Sequence, residues 1–383
     1  MVENHKPIRV LHLLSYLGHG GIETWLMEML RKANREEIEI DVCLTSDIVG
    51  LYDEEFRRLG GRIHRCCLRK NLFAFAKDLK KILESEKYDI FHSHHFLASG
   101  YFLKVASSIS GLKLIAHVHP TSDAPSGERK AFPRPLYRWL MKKWIDKYAD
   151  AVLCPSKGSL EAFWGPDWHN NPRLKLQPNG IDLVPFEREI NPAEIRKEFG
   201  LPENCRISLT IGRYVPYKNH KIIPDIAASV CSEYQDVYFI LNGAGPLEGN
   251  IKNKVKELGL EERFRFTSGL PDLMPLWKAS DVFLFPSLLE GFGVVVIEAA
   301  AAGLPVVATN IPGVIEAATA CHSATLMSRD ATPQEWSDAL KNALKTGKLT
   351  GEKLRQFKEN FPFTTQKSLE ILRQTYKQLV GRD

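Results

Sequence analysis

Short apolar runs recur along this chain, separated by longer segments in which apolar positions return at helical spacing. Ile8-Arg-Val-Leu-His-Leu-Leu-Ser15 reads as a buried strand, Gly18-His-Gly20-Gly21 as a turn, and Ile-Glu-Thr-Trp-Leu-Met-Glu-Met-Leu30 as a helix. A strand, a glycine turn and a helix make half of a βαβ unit in which the backbone can approach a ligand closely, although glycine pairs also serve merely as turns. The alternation continues with strands near 38–45, 62–67, 89–93 and 113–118, and helices near 51–59, 73–86 and 97–110. Another strand follows at Ala151-Val-Leu-Cys154. Strands alternating with helices predict a doubly wound parallel sheet.

Leu174-Lys-Leu-Gln-Pro178-Asn-Gly180-Ile-Asp182 closes this first half, and the proline-punctuated stretch 183–205 follows it. The pattern places a domain boundary after Asp182. At 383 residues, two or three domains are expected. The strand pattern restarts at Arg206-Ile-Ser-Leu-Thr-Ile211 and recurs at Val237-Tyr-Phe-Ile-Leu-Asn242 and at Phe264-Arg-Phe-Thr-Ser-Gly269-Leu270.

The chemistry concentrates in one stretch of the second half. From Asp281 an apolar run ends at Pro286, crosses a loop with Gly291 and Gly293, enters an alanine-rich segment that stops at Gly303, and meets a second apolar run. Neither run alternates with polar residues, as expected of parallel strands covered on both faces, so the loop lies at the carboxyl edge of a sheet, where ligands bind. The new helix presents free amides from about Gly293 and Val294, suited to phosphate or sugar oxygens. Glu290 and Glu298 flank that edge, with backbones about 12 Å apart at helical rise. A carboxylate accepts two hydrogen bonds from a vicinal diol, so one glutamate suits a ribose and the other a hexose. The plainer readings are a capping Glu290 and a solvated Glu298. Yet Glu298 follows Val-Val-Val-Ile and precedes four alanines, a poor place for an idle charge. Upstream, Gly212-Arg213-Tyr-Val-Pro-Tyr-Lys218 follows its strand directly and sets two cations over the same edge, able to neutralise a diphosphate leaving group.

Glu290-Gly-Phe-Gly-Val-Val-Val-Ile-Glu298 resembles the E-x7-E signature of the retaining glycosyltransferases of family 4 (group 1), which include exopolysaccharide-type enzymes and have the GT-B fold. Gly212 to Lys218 is similar to the family's G-R-x4-K, Pro178 to Asp182 to its P-N-G-[IV]-D hinge, and Thr309-Asn-Ile-Pro-Gly313-Val-Ile-Glu316 to its turn at that place. The resemblance implies an α/β protein of two Rossmann-like domains whose parallel sheets face an interdomain cleft. Residues 1–182 would form the acceptor side, with a last helix in 364–383 crossing back to it, and 183–363 the donor side. Glu290, with Phe292 and the amides of Gly293 and Val294, would hold the donor sugar, and Glu298 the ribose. Arg213 and Lys218 would bind the diphosphate, Gly20 and Gly21 would line the donor, and Gly269 and Leu270 would line the nucleobase side. A histidine after the strand near 113–118 completes the family's catalytic set. His119 matches it, with His117 the fallback on the same strand face, so the implied catalytic residues are His119, Arg213, Lys218 and Glu290.

The expected reaction is transfer of a hexose, with retention, from a nucleotide diphosphate, UDP-glucose or a related UDP-hexose, to a saccharide or lipid-linked acceptor. A nucleotide-sugar 2-epimerase and a non-catalytic nucleotide-sugar-binding partner are the alternatives. No D-x-D motif is present, so cationic side chains would replace the metal of other glycosyltransferases, and no cofactor is implied. His92, His94 and His95 form either a polar acceptor wall or a weak metal cluster.

Composition changes the picture little. A charged fraction of 25% is that of a globular protein, and seven cysteines without C-x-x-C spacing read as reduced packing residues. No apolar run is long enough to span a bilayer and the start lacks a signal-peptide pattern, so a cytoplasmic protein is expected. The net charge of +5 gathers partly in the basic, aromatic segment 129–148. On a helix from about Pro135, Leu136, Leu140, Trp144 and Tyr148 share a stripe, while Arg138, Lys142, Lys143 and Lys147 lie mostly elsewhere. That suits peripheral contact with an anionic membrane on its inner face, and equally an ordinary helix with its stripe on the sheet. No nucleic-acid motif accompanies the charge.

Overall fold

Parallel pairing alone joins the strands of the computed structural model, which describes residues 6–18, 20–68, 71–119, 134–270 and 272–382. The chain divides into two compact units, Met1–Ile181 with Thr364–Asp383, and Asp182–Phe363. The division falls one residue ahead of the expected boundary.

The first unit holds β1 (Ile8–Leu14), β2 (Ile38–Leu44), β3 (Ile63–Arg65), β4 (Ile90–Ser93), β5 (Lys113–His117), β6 (Ala151–Cys154) and β7 (Leu174–Leu176), in spatial order β3-β2-β1-β4-β5-β6-β7. The second holds β8 (Arg206–Ile211), β9 (Val237–Asn242), β10 (Phe264–Thr267), β11 (Val282–Phe285), β12 (Val306–Thr309) and β13 (Ala324–Met327), in order β10-β9-β8-β11-β12-β13. Strand order reverses between β1 and β4 in one sheet and between β8 and β11 in the other. Connections leave such a pair toward opposite faces, which opens a crevice at the carboxyl ends of the two strands.

Side chains alternate across each sheet, and helices cover both faces, which is why the strands carry no alternating polar positions. In the first unit, Leu11, Leu13, Phe91, Leu114 and Ala116 enter one core. Val10, Leu14, Ile90 and Ile115 enter the other, beneath Trp25 and Leu26 of the helix Gly21–Lys32. That second core is closed by the last helix, Thr365–Val380, through Leu369, Leu372 and Tyr376 at helical spacing. The Thr364 side chain caps its start and Gly381, at φ 68°, ends it.

Two segments carry structure that their sequence pattern left open. The proline-punctuated stretch 183–205 carries the helix Pro192–Glu198, capped by Asn191 and part of the second unit. The basic segment forms the helix Arg134–Tyr148, while its residues 129–133 lie outside those described. Met141 and Ile145 are its buried residues, with Leu140, Trp144 and Tyr148 packed beside them, but Leu136 is exposed, as is Trp139. The apolar stripe therefore serves the core, and Leu136 does not belong to it. Among the described residues no helix is long and apolar enough to cross a membrane.

The return of the chain to the first unit depends on a glycine. Ile181 bridges Thr364, and Thr365 N–H donates to the Ile181 carbonyl at 2.9 Å. A Cβ on Gly180 would stand 2.2 Å from the Thr364 carbonyl oxygen. Backbone on both sides cannot yield as a side chain could, so Gly180→Ala should cost about 1–3 kcal/mol. Chemical unfolding should show the loss, and limited proteolysis should release the C-terminal helix before the sheet unfolds. A variant as stable and as protease-resistant as the wild type would show that the crossing tolerates a methyl group.

Candidate active site

The second unit assembles its polar groups at the carboxyl ends of β8 and β11, the pair at which strand order reverses. The loop after β8 carries Arg213 and Lys218, and the loop after β11 carries Glu290. Backbone joins the two loops: Leu288 N–H donates to the Tyr217 carbonyl at 2.7 Å, and Ser287 Oγ donates to the same oxygen at 3.4 Å. Arg329 steadies the far side by donating to the Leu288 carbonyl at 3.0 Å.

Across this seam Lys218 Nζ donates to Glu290 Oε1 in a nearly buried ion pair, and its ammonium lies 5.2 Å from the centre of the Phe285 ring. Glu290 is therefore engaged by a cation and does not cap the following helix. An ammonium has three donors, so the pair orients Lys218 while leaving it able to bind a second anion. Arg213 is exposed, and its Nη2 donates to Tyr217 Oη at 2.5 Å, which aims the guanidinium along the same loop. Tyr217 and Phe285 carried no signal in the sequence beyond their place beside the motifs.

The helix Val294–Ala301 starts at Gly293, whose φ of 75° lies where a side chain would be strained, and no side chain caps its first amides. Phe292 is buried and packs edge-on against Phe363 at 5.0 Å, so its ring belongs to the core and only its backbone faces the loop chemistry. Glu298 lies within this helix, half-buried, and burial pushes its carboxyl up to about 7. A carboxylate held this way gains from any hydroxyl donors that reach it. Gly269, at φ 66° and exposed, and the half-buried Leu270 follow β10 two strands from β8.

In the first unit the reversal point is lined with histidine. Period-two alternation and the register of β1 with β4, His12 beside His92, and of β4 with β5, His92 beside Ile115, put His12, His92 and His117 on one face of the sheet. His94 and His119 follow just beyond β4 and β5, and all five rings are buried. His12 Nδ1 lies 2.8 Å from His94 Nε2, and His94 Nδ1 lies 3.4 Å from His119 Nε2. Tyr376 Oη lies 2.7 Å from His92 Nδ1 and 3.2 Å from His12 Nε2. The His117 ring lies tilted against that of His119, centroids 4.1 Å apart, and neither nitrogen of His117 is hydrogen-bonded. His95 stands apart against Phe102. Gly20 and Gly21 open the first helix at the same edge, after β1.

Two trios, His12 with His92 and His94, and His94 with His117 and His119, bring their ring nitrogens within 4.8 Å of one another and could hold a metal ion. Neither includes a carboxylate or thiolate to offset a buried divalent charge, whose desolvation is costly. The short His12–His94 contact is a hydrogen-bond length, below the roughly 3.3 Å between ligands of a tetrahedral site with bonds near 2.0 Å. The arrangement fits a neutral hydrogen-bonded network. His12 and Tyr376 were absent from the sequence reading. A polar residue amid the apolar run of β1 was the available signal for His12, but nothing local marked its pairing with a residue 364 positions away.

Burial disfavours the charged ring, holding His12 and His119 down to about 3 and pushing His92, His94 and His117 well below the usual 6.5. In the unfolded chain these rings take protons below about 6.5, so the unfolded state binds more protons and stability falls as pH drops from 6.5 toward 3. Each ring should cost up to about 1.4 kcal/mol per pH unit in that window. Melting temperature should therefore change little from pH 7.5 to 6.5 and fall steeply from pH 6.5 downward. A flat profile would mean that the rings are charged or solvated in the folded protein.

Comparison with known proteins agrees with this architecture. Residues 19–184 match the family described as Glycosyltransferase Family 4, and residues 191–362 match Glycosyl transferases group 1. EpsF of Bacillus subtilis is 26% identical over 99% of both chains. The UDP-Gal:alpha-D-GlcNAc-diphosphoundecaprenol alpha-1,3-galactosyltransferase of Escherichia coli is 26% identical over 82% of each. Among solved structures, Anabaena HepE in complex with UDP and glucose superposes with a TM-score of 0.75 at 20% identity, covering 96% of this chain and 99% of HepE.

Proposed function

From the premise that this chain belongs to the family 4, group 1 glycosyltransferases of the GT-B fold, we propose that it moves a hexose from a UDP-hexose, UDP-glucose in the first instance, to a saccharide or lipid-linked saccharide in polysaccharide assembly. The observation that carries this reading is the Lys218–Glu290 ion pair beside Arg213 and an uncapped helix start, all at the reversal point of the second sheet. Cations and amide donors converge there with a carboxylate, the complement of a diphosphate joined to a hydroxyl-rich sugar. The names of the relatives, with UDP-galactose for one and UDP and glucose bound to another, support a uridine donor.

In this reading Arg213 and Lys218 neutralise the diphosphate as the glycosidic bond breaks, assisted by the amides of Gly293 and Val294. Glu290 and the Phe292 backbone hold the sugar, Glu298 the ribose, and Gly269 and Leu270 line the nucleobase side. His119, with Gly20 and Gly21, acts from the first unit, where it hydrogen-bonds the sugar. The acceptor oxygen attacks the anomeric carbon from the face the diphosphate leaves, and the departing phosphate takes the acceptor's proton, so configuration is retained without an enzyme nucleophile. The exposed Leu136 and Trp139, beside the exposed Arg138, Lys143 and Lys147, support peripheral contact of the helix Arg134–Tyr148 with an anionic membrane at the cytoplasmic face.

Thermal shift of the purified protein in EDTA against a panel of nucleotides and nucleotide sugars should show stabilisation by UDP and a UDP-hexose above the rest. No shift with any member would overturn the donor site. Arg213→Ala should lower turnover of UDP-glucose about 100-fold or more with an unchanged melting temperature, because the side chain is exposed. Glu298→Ala should weaken UDP binding about tenfold or more, as loss of a charged hydrogen-bond acceptor predicts. Wild-type turnover or affinity in either variant removes that residue from the site.

A further inference from the structure

The histidines of the first sheet are linked end to end with the last helix. Starting from Tyr376 Oη, the contacts run to His12 Nε2, from His12 Nδ1 to His94 Nε2, and from His94 Nδ1 to His119 Nε2. A side branch joins Tyr376 Oη to His92 Nδ1. A neutral imidazole has one N–H and one lone pair, so a ring that donates at one nitrogen accepts at the other. Burial keeps these rings neutral. Once each junction holds one proton, every proton in the chain lies on the same side of its junction, and the direction chosen at Tyr376 is imposed on His119.

Two directions satisfy the junctions, and they differ at the branch. In the first, Tyr376 O–H donates to His12 Nε2, His12 Nδ1–H donates to His94 Nε2, and His94 Nδ1–H donates to His119 Nε2. His92 Nδ1–H then donates to the Tyr376 oxygen, leaving only a lone pair at His92 Nε2, an atom buried without a partner. In the second, every bond reverses, Tyr376 donates to His92 Nδ1, and the His92 N–H is stranded at Nε2. A buried donor without an acceptor is the rarer and costlier defect. The first direction is therefore favoured, with the hydrogen of His119 on Nδ1 and its Nε2 lone pair facing His94.

We propose that Tyr376, carried on the C-terminal helix that returns to the first unit, is a positioning residue: through His12 and His94 it fixes the tautomer and ring orientation of His119. This rests on the reading that His119 contacts the donor sugar only in its consequence for turnover; the proton arrangement stands independently. It also gives the returning helix a role beyond packing. A ring locked as an Nδ1–H donor presents a fixed hydrogen-bonding edge, whereas an unlocked ring divides between two tautomers.

The test is ring nitrogen NMR on the full chain labelled with 15N-histidine. In the wild type, His12, His94 and His119 should each appear as a single Nδ1–H tautomer, with N–H···N couplings across the His12–His94 and His94–His119 junctions. Tyr376→Phe keeps the ring in the core but removes the hydroxyl, and the His119 nitrogens should shift toward a mixture of tautomers. Release of UDP from UDP-glucose by that variant should lose kcat several-fold with KM unchanged. A wild-type His119 protonated on Nε2, or nitrogen shifts at His119 indifferent to Tyr376→Phe in a folded variant, would overturn the proposal. If that variant does not fold, the wild-type tautomers and couplings decide the matter alone. Altered His119 tautomers with unchanged kcat uphold the relay and instead sink the contact between His119 and the sugar.

Discussion

Parallel strands covered on both faces leave a chain one place to put chemistry. Backbone groups within each sheet are satisfied by neighbours, the flanking helices bury the side chains, and only the loops at the carboxyl edge are free to hold polar groups. Both units gather polar groups at or beside the pair of strands where the order reverses. In the second unit these groups stay in the loops, as Arg213, Lys218 and Glu290; in the first, His94 and His119 follow their strands, but His12, His92 and His117 lie within β1, β4 and β5 and depart from the constraint on one buried face of the sheet.

The two edges solve opposite electrostatic problems. Around Lys218 and Glu290 the charges are kept, paired and held close to an uncapped helix start, so an anionic ligand meets a preorganised field. Around His119 the charges are suppressed: desolvation favours neutral rings, which then bond to one another. Neutral imidazoles can donate or accept at known atoms, which a cluster of imidazolium ions could not do without repulsion. The cost is susceptibility to acid, since the same rings gain protons on unfolding.

The last helix connects these themes. Its apolar stripe closes one core of the first unit, its start is pinned beside Gly180, and its buried phenol at Tyr376 meets two histidines from two strands. A helix that only needed to fill the core could have used phenylalanine there, because a buried phenol requires partners to offset its desolvation.

Much was legible in the sequence because it is local. Apolar runs without alternation dictated buried parallel strands, the spacing of glycines and helical stripes dictated the crossovers, and Gly212 to Lys218 and Glu290 to Glu298 announced a loop chemistry that follows its strands directly. What the fold alone decided was partnership. Glu290 pairs with Lys218 rather than capping its helix, Phe292 turns into the core against Phe363, and Leu136 faces water although it sits at the spacing of a buried stripe. His12 joins Tyr376 across almost the whole chain. Period and propensity act over a few residues, whereas these pairings depend on which strands lie side by side and where the returning helix docks, and that is settled by burial of surfaces far apart in sequence.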